Sequence, residues 1–235
     1  MNMTPVLALW DGKSYGDILS GPDLEPFVDD ILNELEVGYT NLVPIDEYHT
    51  KNDQYLLGPP DSHWGSIRAK NGREEPWKVQ YIEIGNEDNY TGGCDTYPKR
   101  FTQIYDAINS TYPDLTLISS TGEKDCLPSQ LPEGVMVDLH YYKTPGALVA
   151  DFDQYDNYPR DRDIIVGEWG SRNTSDQRGQ FWTYMQGSCS EAVHMIGFER
   201  NSDVVQMTAY APLLQNFAFT QWSVCITIPR IRRGS

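Results

Sequence analysis

Basic side chains are scarce in this sequence. Only 18 Lys and Arg stand against 34 Asp and Glu in 235 residues, leaving a net charge of -16. A surface of that sign repels phosphate backbones, and no basic cluster is large enough to hold one, which excludes a nucleic-acid partner. Cysteine is sparse too. Cys94, Cys126, Cys189 and Cys225 show no CxxC spacing and no paired histidines nearby, so a zinc site is not expected. One or two disulfides remain open for a secreted protein, with the pairing unassigned. No apolar stretch reaches the length of a membrane-spanning helix, so no membrane partner is expected. The opening Met1-Asn2-Met3-Thr4-Pro5 carries no signal-peptide pattern. Finally, no Gly-rich phosphate loop follows the first strand-like run, which argues against a dinucleotide-binding fold.

What is present alternates between two periods. Residues 6–10, 78–84, 115–119, 135–141 and 163–166 read as short apolar strands, with residues 217–222 a further candidate. Leu24, Phe27, Val28, Ile31, Leu32 and Leu35 follow helical three-four spacing, with Asp23 as the expected N-cap. Phe101, Ile104, Tyr105 and Ile108 mark a second helix that Pro113 closes, and residues 176–192 a third. Residues 46–72 are polar and rich in Pro and Gly and read mainly as loop. Past Asn201 the pattern reads as helical until Pro212. Strands separated by helices imply parallel βα units buried on both faces.

Polar residues gather where strands end: Trp10-Asp11, Asn86-Glu87, His140-Tyr141-Tyr142 and Glu168-Trp169. Active sites of TIM (β/α)8 barrels lie at the C-terminal ends of their strands, which favours that α/β architecture over an open sheet. Five or six candidate strands fall short of eight. The expectation is therefore an incomplete barrel over residues 1–223, followed by an unpatterned basic tail over residues 224–235.

Two motifs carry the chemistry. Tyr81-Ile82-Glu83-Ile84-Gly85-Asn86-Glu87 and Ile164-Ile165-Val166-Gly167-Glu168-Trp169-Gly170 are apolar runs that each end in a Gly-flanked glutamate. Alone, either could be a solvated turn. Together they suggest the paired carboxylates that cleave glycosidic bonds. By strand alternation Glu83, Gly85 and Glu87 share a face, as do Asp138, His140 and Tyr142, and Ile164, Val166 and Glu168. Glu83, deeper in its strand, is expected to be structural, and Asp88 to point elsewhere. Trp10, Trp169 and Trp222 are candidate stacking faces for sugar, with core packing the competing expectation for each. Trp169, beside Glu168, is counted among the substrate-binding candidates. Two acids of different ionisation imply a bell-shaped pH profile.

Several segments carry a resemblance. Pro5-Val6-Leu7-Ala8-Leu9-Trp10, Trp64-Gly65-Ser66-Ile67-Arg68-Ala69, Tyr81 through Asn89, Val137-Asp138-Leu139-His140-Tyr141-Tyr142, Gly167-Glu168-Trp169-Gly170 and Phe198-Glu199-Arg200-Asn201-Ser202-Asp203 together resemble α-L-arabinofuranosidases of glycoside hydrolase family 51, in their fungal or plant branch. The resemblance implies Glu87 as acid/base, Glu168 as nucleophile, Asn86 near the sugar 2-hydroxyl, Tyr142 orienting the nucleophile and His140 as a supporting wall. It implies a retaining enzyme that removes terminal α-L-arabinofuranosyl groups from arabinoxylan, arabinan or their oligosaccharides, needs no metal or organic cofactor, and works outside the cell. Family members carry two barrel strands before the segment at Pro5 and a β-sandwich after the region of Trp222, and both are expected to be missing here. The sequons at Asn2, Asn89, Asn109 and Asn173 are weak support for secretion. Two other readings stay open: a related retaining glycosidase acting on xylan or glucan, and an inactive sugar-binding fragment.

Overall fold

The computed structural model describes residues 6–14, 17–35, 59–90, 92–172 and 185–211. The chain divides into two compact units, Met1–Val135 and Met136–Ser235. The candidate strand at residues 217–222, the tail and Trp222 lie outside the described residues.

In the first unit, β1 (Val6–Leu9) and β4 (Tyr81–Ile84) run parallel, and β4 pairs in the same sense with β5 (Thr116–Ser119). A small antiparallel hairpin, β2 (Lys13–Ser14) with β3 (Asp17–Ile18), follows β1. The expected helices form as α1 (Glu25–Leu35) and α3 (Tyr97–Thr111). Their apolar stripes supply Leu24, Val28, Ile31, Phe101, Ile104 and Ile108 to a core shared with Leu9, Ile82, Ile84 and Leu117. Each fully buried Ile or Phe of this set contributes about 1.5–3 kcal/mol relative to exposure.

Three local expectations are corrected. Asp23 does not cap α1, because it closes a 3-10 turn, Gly21–Asp23, ahead of the helix. Phe27 is on the outside, 36% exposed, with its ring edge against Trp10 at 5.0 Å. The supposed loop contains α2 (His63–Lys70), capped by Ser62 Oγ, which accepts the Gly65 N–H at 3.1 Å. Two turns containing Gly and Ser give too short and mixed a pattern for periodicity to register.

In the second unit, β6 (Met136–Lys143), β7 (Ile164–Ser171) and β8 (Val205–Tyr210) are parallel neighbours in that order, with α4 (Pro145–Ala150) and α5 (Met185–Arg200) between them in sequence. Residues 205–210 are thus a strand, where helix was expected. The third expected helix extends to Arg200, beyond residue 192. The buried positions of α5 are Gly187, Ser190, His194, Gly197 and Phe198, whereas Met195 and Ile196 are exposed. Small and polar residues face inward there, so hydropathy misreports the helix.

His194 anchors that inward face. Its Nδ1 lies 3.0 Å from the Leu148 carbonyl, which can only accept, so Nδ1 carries the proton and Nε2 accepts from the Tyr141 hydroxyl at 2.8 Å. Burial holds the His194 pKa below its ordinary 6.5. The unfolded chain therefore binds a proton that the folded one resists. This contribution to stability is complete above about pH 6.5 and is lost as pH falls toward the folded value. The midpoint of thermal unfolding is expected to drop between pH 7.5 and 5.5, and the drop to be smaller in His194→Gln; equal drops would show that this histidine is not the sensor.

Candidate active site

The two glutamates fall in different units, and each has its own supporting structure. In the first unit β4 stops at Ile84, and the chain turns through Gly85 at φ 91 and Glu87 at φ 51. The alternation expected to put Glu83, Gly85 and Glu87 on one face therefore ends before Glu87. Left-handed backbone costs a side-chain-bearing residue roughly 1–2 kcal/mol. Among the described residues Glu87 is the one non-glycine with positive φ. Asn86 is exposed, Glu87 half-buried and Glu83 buried.

Under this turn lies a buried charge cluster. Asp88, expected to point elsewhere, is fully buried, with one oxygen 2.6 Å from Arg100 Nη2. Its other oxygen accepts the Ser120 hydroxyl at 2.7 Å and the Asn86 N–H at 3.2 Å. Arg100 Nη1 reaches the Asp11 carbonyl at 3.1 Å and also pairs with the Asp11 carboxylate. Two acids thus share one guanidinium. Asp11 is pushed up to about 7, first by burial and next by the Asp88 charge, against the pull of Arg100. Gly85 is required here on two counts: its φ is 91, and a Cβ would lie 2.2 Å from Asp88 Oδ2. Tyr97, at the start of α3, donates its hydroxyl to the Ile84 carbonyl at 2.7 Å and accepts the Ser120 N–H at 2.8 Å, tying the ends of β4 and β5 together. A disulfide between Cys94 and Cys126 joins the loops that follow these strands. Closing a loop across its separation of 32 residues contributes about 3–4 kcal/mol in the chain-entropy picture. Glu123 and the two sulfurs lie close enough to hold a metal, but bridged sulfurs offer no thiolate.

In the second unit Glu168 stands on β7 directly across from His140 on β6. Its Oε2 accepts the Tyr142 hydroxyl at 2.7 Å and lies 3.8 Å from His140 Nδ1. That hydrogen bond fixes the direction of the carboxylate. His140 Nε2 is 2.9 Å from Asp138 Oδ2, which fixes the ring beside the glutamate. The face shared by Asp138, His140 and Tyr142 was legible from alternation.

The register was not. Asp138 pairs with Ile165 but His140 with Glu168, so β7 holds one extra residue, a bulge that re-aims the side chain that follows. The Asp138 carboxylate sits in this bulge and accepts the Gly167 N–H at 2.6 Å, and a Cβ on residue 167 would come within 2.3 Å of it. Glycine precedes the glutamate because a carboxylate occupies the space.

Trp169 corrects one site expectation. It is 2% exposed and packs edge-on against Phe198 at 5.1 Å and Tyr210 at 5.5 Å, so it is a core residue and offers no face to a sugar. Trp10 departs the other way: it is 45% exposed, and its Nε1 donates to the Lys13 carbonyl at 2.8 Å. Lys13, Arg100 and Asp138 emerge as supports that sequence reasoning had assigned no role. The one signal for Asp138 was its parity with His140.

Two family models match this chain: the "Alpha-L-arabinofuranosidase 1 domain" over residues 1–160, and the "Alpha-L-arabinofuranosidase C-terminal domain" over residues 167–230. The chain belongs to the α-L-arabinofuranosidases. Emericella nidulans has a relative, "Probable alpha-L-arabinofuranosidase A", that is 56% identical over 230 residues, covering 96% of this chain and 41% of the relative. "Alpha-L-arabinofuranosidase A" of Aspergillus kawachii is 48% identical over 227 residues, covering 95% of this chain and 32% of the relative. Among solved structures, an arabinose-bound family 51 α-L-arabinofuranosidase matches with a TM-score of 0.72 and 27% identity, over 94% of this chain and 33% of that one. That likeness bears out family 51 and the α/β barrel class expected from the sequence. The chain spans about a third to two fifths of the length of these relatives. No helix among the described residues is long and apolar enough to cross a membrane.

Proposed function

We propose that the chain carries the catalytic machinery of a retaining glycosidase that releases terminal α-L-arabinofuranosyl groups from arabinoxylan, arabinan and related oligosaccharides. The observation that carries this reading is the Glu168 carboxylate, held by the Tyr142 hydroxyl at 2.7 Å beside His140, in the C-terminal half of a parallel strand in an arabinofuranosidase chain.

In the first step Glu168 forms a bond to the anomeric carbon while the bond from that carbon to the leaving oxygen breaks. The bonding pair goes to the oxygen, which takes the proton from Glu87. In the second step water attacks the same carbon, Glu87 takes a proton from that water, and the Glu168 ester bond breaks. Tyr142 keeps Glu168 aimed, His140 walls it in, and Asn86, exposed beside Glu87, offers its amide to a sugar hydroxyl. The Cys94–Cys126 disulfide supports work in an oxidising, extracellular setting.

The test is the 235-residue chain incubated with 4-nitrophenyl α-L-arabinofuranoside and 4-nitrophenyl β-D-xylopyranoside. Turnover of the arabinofuranoside is expected, with proton NMR showing the α anomer as the first product. Cleavage of the xyloside alone would transfer the chain to the related xylan-acting glycosidases, a β first product would replace retention by inversion, and binding without turnover would make it a sugar-binding fragment.

A further inference from the structure

A side chain bearing left-handed backbone keeps that conformation only where its surroundings impose it. At Glu87 one imposing group comes from far along the chain. Lys13, in the hairpin after β1, extends its ammonium to the Glu87 carbonyl at 2.6 Å and to the Asn86 carbonyl at 3.4 Å. Its Nζ also lies 3.9 Å from Asp88 Oδ1, and the Lys13 side chain is only 15% exposed. A lysine ordinarily keeps its charge in water. This one is largely withdrawn from water and spans two consecutive carbonyls. From the other side the Asp88 carboxylate accepts the Asn86 N–H at 3.2 Å. The peptide units around Asn86 and Glu87 are thus held by a cation on their oxygens and an anion on a nitrogen.

We propose that Lys13 is a positioning residue for proton transfer by Glu87. Its ammonium fixes the carbonyls on either side of the Glu87 Cα, and with them the direction in which the Glu87 carboxyl is presented. Lys13 acts through the backbone and touches neither sugar nor leaving group. The inference rests on the acid/base role proposed for Glu87, and it concerns only the step in which that proton moves.

The test compares two arabinofuranosides that differ in their need for a proton. A 2,4-dinitrophenyl leaving group departs as a stable anion, whereas a methyl glycoside must be protonated as it leaves. General acid catalysis contributes roughly 10²–10⁴-fold. In Lys13→Met, kcat/KM for the methyl glycoside is expected to fall by about 10–100-fold, part of that range, while the dinitrophenyl substrate is little affected. Glu87→Gln, measured alongside, sets the full selective loss. Equal losses on both substrates in Lys13→Met, or no loss on either, would overturn the positioning role. If Glu87→Gln itself shows no selectivity, or the unmodified chain cleaves neither substrate, the fault lies in the acid/base reading and is seen independently of Lys13. Should Lys13→Met fail to fold, Lys13→Gln keeps a donor of shorter reach. The same selectivity with a smaller loss supports the proposal, and equal or absent loss overturns it.

Discussion

Glu168→Ala is expected to lower kcat/KM for 4-nitrophenyl α-L-arabinofuranoside by roughly 10⁴-fold or more, because removing a nucleophile removes the whole double-displacement route. The side chain is 33% exposed, and the hydroxyl of Tyr142 that it releases can turn to water. The unfolding midpoint should therefore hardly move, which separates lost chemistry from lost structure. Azide gives the sharper reading. It can enter the space left by the carboxylate and attack the anomeric carbon once, so the variant with azide should yield an arabinofuranosyl azide of inverted configuration. Activity within about tenfold of the unmodified chain, well short of what loss of a covalent catalyst removes, would eliminate Glu168 as nucleophile.

The largest effect on stability is expected at Arg100. Arg100→Met keeps much of the side-chain volume but strands the carboxylates of Asp11 and Asp88 in a buried site. Removing one partner of a buried ion pair costs about 3–5 kcal/mol, out of a total of about 5–15 kcal/mol for a typical domain. The sign of the pH dependence follows. Without the guanidinium, the Asp11 carboxyl loses the one cation that pulls against burial and is driven further toward its neutral form in the folded state. Asp11 is already raised to about 7 with it in place. A raised folded pKa contributes stability at low pH that is lost as pH rises. The deficit of the variant, measured by urea unfolding, should thus be smaller near pH 4 than near pH 8. A constant deficit across that window would mean that lost packing, and not stranded charge, accounts for the cost.

Much of the fold was legible because its signals are local. Strands β1, β4, β5, β6 and β7 announced themselves as short apolar runs, and α1 and α3 as helical stripes. Both stripes bury their apolar residues at three-four spacing, Leu24, Val28 and Ile31 in one and Phe101, Ile104 and Ile108 in the other. The errors fell where local pattern and burial part company. Strand β8 alternates Val205, Met207 and Ala209 with Gln206, Thr208 and Tyr210, but only Val205 is buried, and over six residues so weak an alternation yields to a helical reading. Helix α5 turns Gly, Ser and His inward and Met195 and Ile196 outward. Trp169 looked like part of the site because it adjoins Glu168, but adjacent residues of a strand face opposite ways.

By itself the sequence determined which groups could do chemistry: two strand-end glutamates, an amide beside one of them, and a histidine and a tyrosine on a common strand face. Those are covalent facts and two-residue periods, readable without contacts. Only the tertiary structure decided how the groups are aimed. The Glu87 carbonyl is held by the ammonium of a lysine 74 positions away. The bulge before Glu168 depends on a carboxylate 29 positions away that fills the space a side chain at Gly167 would need. Such contacts join residues whose spacing along the chain follows no period, so they exist only once the strands have paired.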